Sequence, residues 1–237
     1  MPILYFAGKG SRLIRFAKTR FYGRVILKAC TNGSSELMTN VSMSLVNMLY
    51  NFRLMEVAGE NGIAAYGVIM YVNFVFSSMY IGYSIGAAPI VGYHYGAGNR
   101  TELKNLLKKS LGLIGITGIA LTALAEMASG PLVEIFVGYD QELFEMTCHG
   151  FRIYALFFII CGFNIWSSAF FTALGNGIVS ATISFLRTLV FQSGAVLILP
   201  IFLGLDGVWL AVVVAEVMAL IISAIFCVAQ RKKYGYL

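Results

Sequence analysis

Long stretches of this chain carry no formal charge. Residues 37–52 have none, nor do residues 61–99, 111–125 and 153–186, and residues 208–229 are interrupted only by Glu216. The hydrocarbon core of a bilayer is crossed by about 20 apolar helical residues. The first stretch, 37–52, is the most polar of the set. The second spans to near Val91. The fourth is long enough for one span, a turn at "LGNG" (174–177) and the start of the next helix, which runs past Arg187 to near Phe202. The pattern predicts six transmembrane helices and an all-α integral membrane protein.

Composition points the same way. Of the 237 residues 59% are hydrophobic and 12% are charged, where soluble domains average about 25% charged. The mean hydropathy is +0.80. Cys30, Cys148, Cys161 and Cys227 are scattered without a CxxC, and His94 and His149 stand at no metal-ligand spacing. Four packed thiols are expected rather than a disulfide framework or a metal site.

The net charge of +6 changes the picture only through its placement. Basic residues gather in 1–35, in the loop after the second helix (Arg100, Lys104, Lys108, Lys109) and at the end of the chain (Arg231, Lys232, Lys233); together these hold 14 of the 17. Eight of the eleven acids (Glu56, Glu60, Glu126, Glu134, Asp140, Glu142, Glu145 and Asp206) fall in the intervening loops. Six alternating helices put the two sets on opposite sides. By the positive-inside rule both termini are then cytoplasmic, and the basic excess is a topology signal rather than a nucleic-acid patch. Three regions follow: a cytoplasmic linker over 1–35, a six-helix unit over 36–230 and a basic cytoplasmic tail over 231–237. "MPILYFAG" reads as the last turns of a helix that began upstream, which hints at a fragment, and the basic segment after it as an interfacial linker. Residues 131–150 mix apolar and acidic positions and form either one or two short interfacial helices or a solvated loop.

Helix 2 ends in "GYSIGAAPIVGYHYGAGN" (82–99). Pro89 removes a backbone donor and kinks or ends the helix. Gly96 and Gly98 make the exit turn, and Thr101 is positioned to cap the basic helix that follows. Within the spans Gly82, Gly86, Gly92, Gly112, Gly115 and Gly118 are suited to close helix packing.

This stretch resembles the MATE family of multidrug and toxin extrusion transporters. So do "NGSSELMTN" opening helix 1, "AAYGVIMYVN" opening helix 2, "TALGNG" after helix 4 and "GLDGVWLAVVVAE" entering helix 6. The resemblance covers essentially the whole chain. It implies the C-terminal six-helix lobe of a twelve-helix, two-lobe transporter in the plasma membrane, exchanging organic, cationic compounds for H+ or Na+. It implies no cofactor. The partners are small organic substrates, the bilayer, and an N-terminal lobe or a second copy of this one. Some members carry a carboxylate deep in the first helix of this lobe, where Met43 and Ser44 stand here. Some carry an aspartate in the fourth helix, where Asn164 stands.

Ionisable groups inside a bilayer are costly and mark candidate sites. Glu36 is either a first-turn acid favoured by the helix dipole or a cytoplasmic-side proton or cation group. Arg187 either snorkels to the interface or pairs with Glu36 or polar atoms of helix 4. Glu216, near mid-depth, is a proton site if unpaired and a packing group if satisfied. Asn40, Ser44, Asn47 and Asn51 recur at helical spacing and face the bundle interior or a water-filled cavity. Asn73 and Ser77 join this set, as do Asn164 and Ser168. Tyr66, Tyr71, Tyr80 and Trp166 are candidates for stacking on an organic cation, with interfacial anchoring the alternative for Tyr80.

Two other functions fit the pattern: a flippase for lipid-linked precursors in the same broader superfamily, and a truncated, non-transporting membrane subunit. No HExxH, GxSxG, nucleotide-binding loop or catalytic carboxylate pair is present, so the chain does not read as an enzyme.

Overall fold

The computed structural model of the chain describes residues 22–236; the expected linker and apolar opening at residues 1–21 lie outside the described residues. The chain divides into two units, residues 1–30 and 31–237. The described part of the first, 22–30, is helical from Gly23.

The elements are α1 (Gly23–Gly96), α2 (Arg100–Val137), α3 (Gln141–Ala155), α4 (Phe157–Ala173), α5 (Gly177–Phe185), a π-helical segment π1 (Leu186–Gln192) and α6 (Ser193–Tyr234). Two apolar stretches, Thr39–Gly96 and Gly177–Tyr234, each run 58 residues. A straight helix of that length measures about 87 Å, nearly three times the ~30 Å of a bilayer core. Neither is straight. Gly59 (φ 63°, ψ −152°) and Gly204 (φ 57°, ψ −132°) break the helical path. A side chain strains that backbone region, and glycine, with no Cβ, occupies it freely.

At both glycines the chain folds back on itself. The Tyr66 hydroxyl donates to Asn47 Oδ1 at 3.0 Å; on an unbroken helix those residues would stand about 28 Å apart. Gly207 lies so close to Leu199 that a Cβ there would sit 2.5 Å from its backbone. Each 58-residue stretch is therefore a hairpin of two spans. α2 supplies a third crossing, and α3 with α4, bent by 46° at Leu156, a fourth. The described residues thus form six spans. In order these are 39–58, 60–96, α2, α3–α4, α5–π1 with the start of α6, and 205–234.

The segment at 131–150 is helical rather than a solvated loop. α2 continues through Pro131 to Val137, and Asp140 caps α3 by accepting from the backbone N–H of Glu142 and Leu143. Pro89 does not end helix 2, which runs on to Gly96; one missing donor is tolerated in a membrane helix whose other backbone bonds are kept. Asn99, not Thr101, caps α2, its Oδ1 accepting from Glu102 N at 3.1 Å.

The bundle has two chemically distinct ends. Gly59, the 138–140 turn and Gly204 lie at one, with the acids. At this end His149 Nε2 meets Asp206 Oδ1 at 2.7 Å. The turns at 97–99 and 174–176 and the end of α6 lie at the other, with the lysines and arginines. There Tyr236 is fully buried, its hydroxyl donating to Cys227 O at 2.9 Å and its ring edge-on to Phe170 at 5.1 Å. The sequence places 231–237 as a basic tail; α6 in fact stays helical to Tyr234, and Tyr236 packs back onto the bundle.

Lipid tails are as apolar as leucine, so spans associate by close packing rather than by hydrophobic exclusion. Gly162 faces the Tyr80 ring and Ile114, Gly150 faces the Trp209 indole, and Gly118 lies against the Phe158 and Ile159 carbonyls. Of the glycines singled out from sequence, Gly118 makes such an approach and Gly92 and Gly115 make ordinary contact, whereas Gly82, Gly86 and Gly112 face open space.

Candidate functional site

The site is built where the fourth, fifth and sixth spans meet. Glu216 stands twelve residues past the Gly204 fold, about 18 Å along its helix from the acidic end, with its side chain 4% exposed. Arg187 reaches it from π1: Nη2 lies 2.7 Å and Nε 2.8 Å from Oε1. The second carboxylate oxygen is held from α4, where Asn164 Nδ2 donates to Oε2 at 2.6 Å and to the Glu216 carbonyl at 3.0 Å. Asn164 Oδ1 in turn accepts from Ser223 Oγ at 3.0 Å. One charge pair and two neutral polar groups thus satisfy one another in the middle of the bundle.

The hairpin at Gly204 creates this arrangement. Arg187 and Glu216 are 29 residues apart and meet only because the chain reverses between them. π1 contributes too. A π turn adds a residue per turn, is rare, and often marks a functional position in a helix; here it carries Arg187.

Three of the residues nominated from sequence therefore come together: Asn164, Arg187 and Glu216. Arg187 pairs with Glu216 rather than reaching the interface. Glu216 is not an unpaired acid. Glu36 is not in a first helical turn, because α1 begins at Gly23 and has no acid there; the Glu36 side chain lies outside the described residues.

The others stand on the first hairpin. Asn47 takes the Tyr66 hydroxyl, and Tyr66 stacks on Tyr50 at 5.0 Å. Ser44 donates to Asn40 O at 3.2 Å and Asn51 to Asn47 O at 2.9 Å. Ser77 donates to Asn73 Oδ1 at 2.9 Å. Asn40, Ser44 and Asn51 are exposed on the surface of the lobe rather than turned into its interior. They sit beside exposed apolar residues such as Met48, Phe52 and Met55. Tyr71 is exposed; Tyr80 and Trp166 are buried, Tyr80 donating to Phe158 O at 2.8 Å. Those two rings belong to the core, neither anchoring the interface nor open to a ligand.

Sequence reasoning named Ser168 but passed over Ser223 and the hydroxyls that meet Ser168 between α4 and α5. Ser168 lies 2.8 Å from Ser180 Oγ and 3.0 Å from Ser184 Oγ, and Thr172 Oγ1 donates to Ser180 Oγ at 2.7 Å. The signal was available: Ser180 and Ser184 stand four apart, as do Ser168 and Thr172, so each pair shares a helical face.

The MatE family model matches residues 37–195. The chain belongs to the MatE family. Solved MatE-type structures share the fold. A MATE structure in the straight conformation superposes with a TM-score of 0.89 at 21% identity, covering 100% of this chain and 53% of that one. The outward-facing conformation of a multidrug resistance MATE family transporter of the MOP superfamily gives 0.87 at 21%, over 99% and 53%. A MOP superfamily transporter from Pyrococcus furiosus gives 0.88 at 20%, over 99% and 53%. The chain thus spans about half the length of these transporters, one lobe of two. No curated protein sequence matches it. The MatE fold makes it a multi-pass membrane protein of a transporter family.

Proposed function

We propose that this MatE lobe forms half of a secondary active exporter of organic, cationic compounds, driven by inward H+ or Na+. The observation that carries the reading is the polar face Asn40, Ser44 and Asn51, exposed on the first membrane span. Amide side chains are expensive against lipid. A second lobe set opposite would enclose that face in a wet cleft, with Asn47 and Tyr66 behind it and Asn73 and Ser77 on the adjoining span. An organic cation would find amide oxygens there.

Coupling would run through Arg187, Glu216 and Asn164. A cation can shift a two-state transporter only as far as it binds the two states differently. An ion pair at the junction of three spans gives it that purchase, because neutralising Glu216 releases Arg187 and so alters how the fifth and sixth spans hold together. The two lobes would then rock about the cleft in alternating access. Both termini would face the cytoplasm of a plasma-membrane protein. A lipid-linked pyrophosphate would need uncommitted cations, and among the described residues the cations on the first span and at the site are both committed. Arg53 is tied to Glu56 at 2.6 Å and to Leu197 O at 3.0 Å, and Arg187 to Glu216.

The test is uptake of a fluorescent organic cation into liposomes that hold this chain with its complementary lobe. An imposed H+ or Na+ gradient should drive accumulation. Equal dye entry with and without both gradients would end the proposal.

A further inference from the structure

We infer that the hydroxyls of Thr172, Ser180, Ser168 and Ser184 form a proton path between Glu216 and the basic end of the lobe. The inference rests on the coupling reading above and names its ion as the proton.

The first step is the chemistry of the site. Both Glu216 oxygens face N–H donors, Arg187 on Oε1 and Asn164 on Oε2, and Asn164 Oδ1 faces the Ser223 hydroxyl. The guanidinium already stands where a metal cation would bind. A sodium ion beside it would place two positive charges a few ångströms apart in a medium of low polarity, where like charges repel strongly. A proton also leaves the guanidinium without its counter-charge, but it puts no second cation beside it. It adds to a carboxylate oxygen, forms one O–H bond, and leaves by breaking it. Among the described residues, Arg187 from π1 is the titratable group in contact with Glu216, and Tyr50 from α1, Tyr154 from α3 and Cys161 from α4 lie within its electrostatic reach.

The second step is access. Glu216 is buried, so a proton needs a route. Thr172 sits two residues before the 174–176 turn at the basic end. Its hydroxyl donates to Ser180 Oγ at 2.7 Å, Ser180 Oγ lies 2.8 Å from Ser168 Oγ, and Ser168 Oγ lies 3.0 Å from Ser184 Oγ. Each hydroxyl can donate and accept, so the set can pass a proton by successive transfers and then reset by rotation. Serines in membrane helices commonly bond back to their own helix. Thr172 does so here, to Ser168 O at 3.1 Å, and Ser180 Oγ also reaches Ser168 O at 2.7 Å, but the hydroxyl-to-hydroxyl contacts cross from α4 to α5. The upper end of the series stops one turn short of the charged site: Ser168 is four residues past Asn164 on α4, and Ser184 three before Arg187 on the next span. The inner end of the series therefore lies within about a turn of Asn164 and Arg187, the two side chains that hold the Glu216 carboxylate.

The experiment separates this inference from the transport reading. The full protein is placed in nanodiscs, pH is jumped, and the infrared band of the protonated carboxyl lost in E216Q is followed. The combined S168A/S184A change should slow the appearance of that band about tenfold or more, the scale of losing a positioned proton relay. The combined S168T/S184T change, which keeps both hydroxyls, should restore most of the rate. Unchanged kinetics in S168A/S184A, or no Glu216 band at any pH, overturns the path. Dye uptake is measured on the same preparations. Absent gradient-driven uptake with slowed protonation in the alanine variant would strike the transport reading and leave the path standing.

Discussion

Arg187 grips Glu216 from within a π-helical stretch, Nη2 to Oε1 at 2.7 Å, and Asn164 closes the far side of the same carboxylate. Charges at this depth are tolerable only as a set. Removing one member should therefore cost more than removing both. R187A should lower stability by about 3–5 kcal/mol because it strands a buried carboxylate, whereas the double change R187M/E216L should recover most of that loss. Thermal unfolding of the four species in detergent gives the comparison. The double variant should fold and yet show no proton-driven uptake.

Gly162 and Gly86 lie on neighbouring spans and should respond in opposite ways. A Cβ at Gly162 would sit 2.5 Å from the Tyr80 ring, which cannot swing aside while its hydroxyl holds Phe158 O. G162A should cost about 1–3 kcal/mol. At Gly86 nothing lies within 4 Å, and G86A should be neutral or add up to about 1 kcal/mol by stiffening the helix. Melting temperatures of the two variants decide it.

The folds at Gly59 and Gly204 should be intolerant of any side chain although both have open space around them. The obstacle is φ near +60°, not a neighbour. G59A and G204A should each lose about 1–3 kcal/mol. Equal stability of G59A and the wild type would show that the hairpin does not need this backbone geometry.

His149 and Asp206 form a contact that looks important and should not be. Their side chains are 61% and 50% exposed, and an ion pair in water contributes under about 1 kcal/mol. H149A should be nearly silent. The adjacent G150A should not, because a Cβ there would sit 2.7 Å from the Trp209 indole. Thermal unfolding of the two variants side by side tests the contrast.

Much of the architecture could be read from the sequence because charge marks membrane spans without ambiguity. The runs at 61–99 and 208–229 became the arms of hairpins, and the alternating acids and bases became the two ends of the bundle. The pairing inside it was less accessible. The reversal between Arg187 and Glu216 was legible from Asp206 and the break between the runs ending near Phe202 and starting at Val208, but nothing local says that these two side chains meet across it. Tyr80 and Trp166 misled for a related reason, since an aromatic ring at mid-membrane looks the same in sequence whether it fills a core or lines a cleft. Asn99 was more legible than it was made. An Asn three residues before Glu102 is a stronger helix-start signal than Thr101.

The glycine reversals have a consequence for anyone handling the protein. Two of the three crossings at the acidic end are single-residue folds, and the third is the short turn at 138–140. A protease or an antibody approaching from that side meets almost no loose chain. Reagents meant to report on which face of a cell membrane this is should instead be aimed at the solvent-facing turns of α3, around Glu142 and His149.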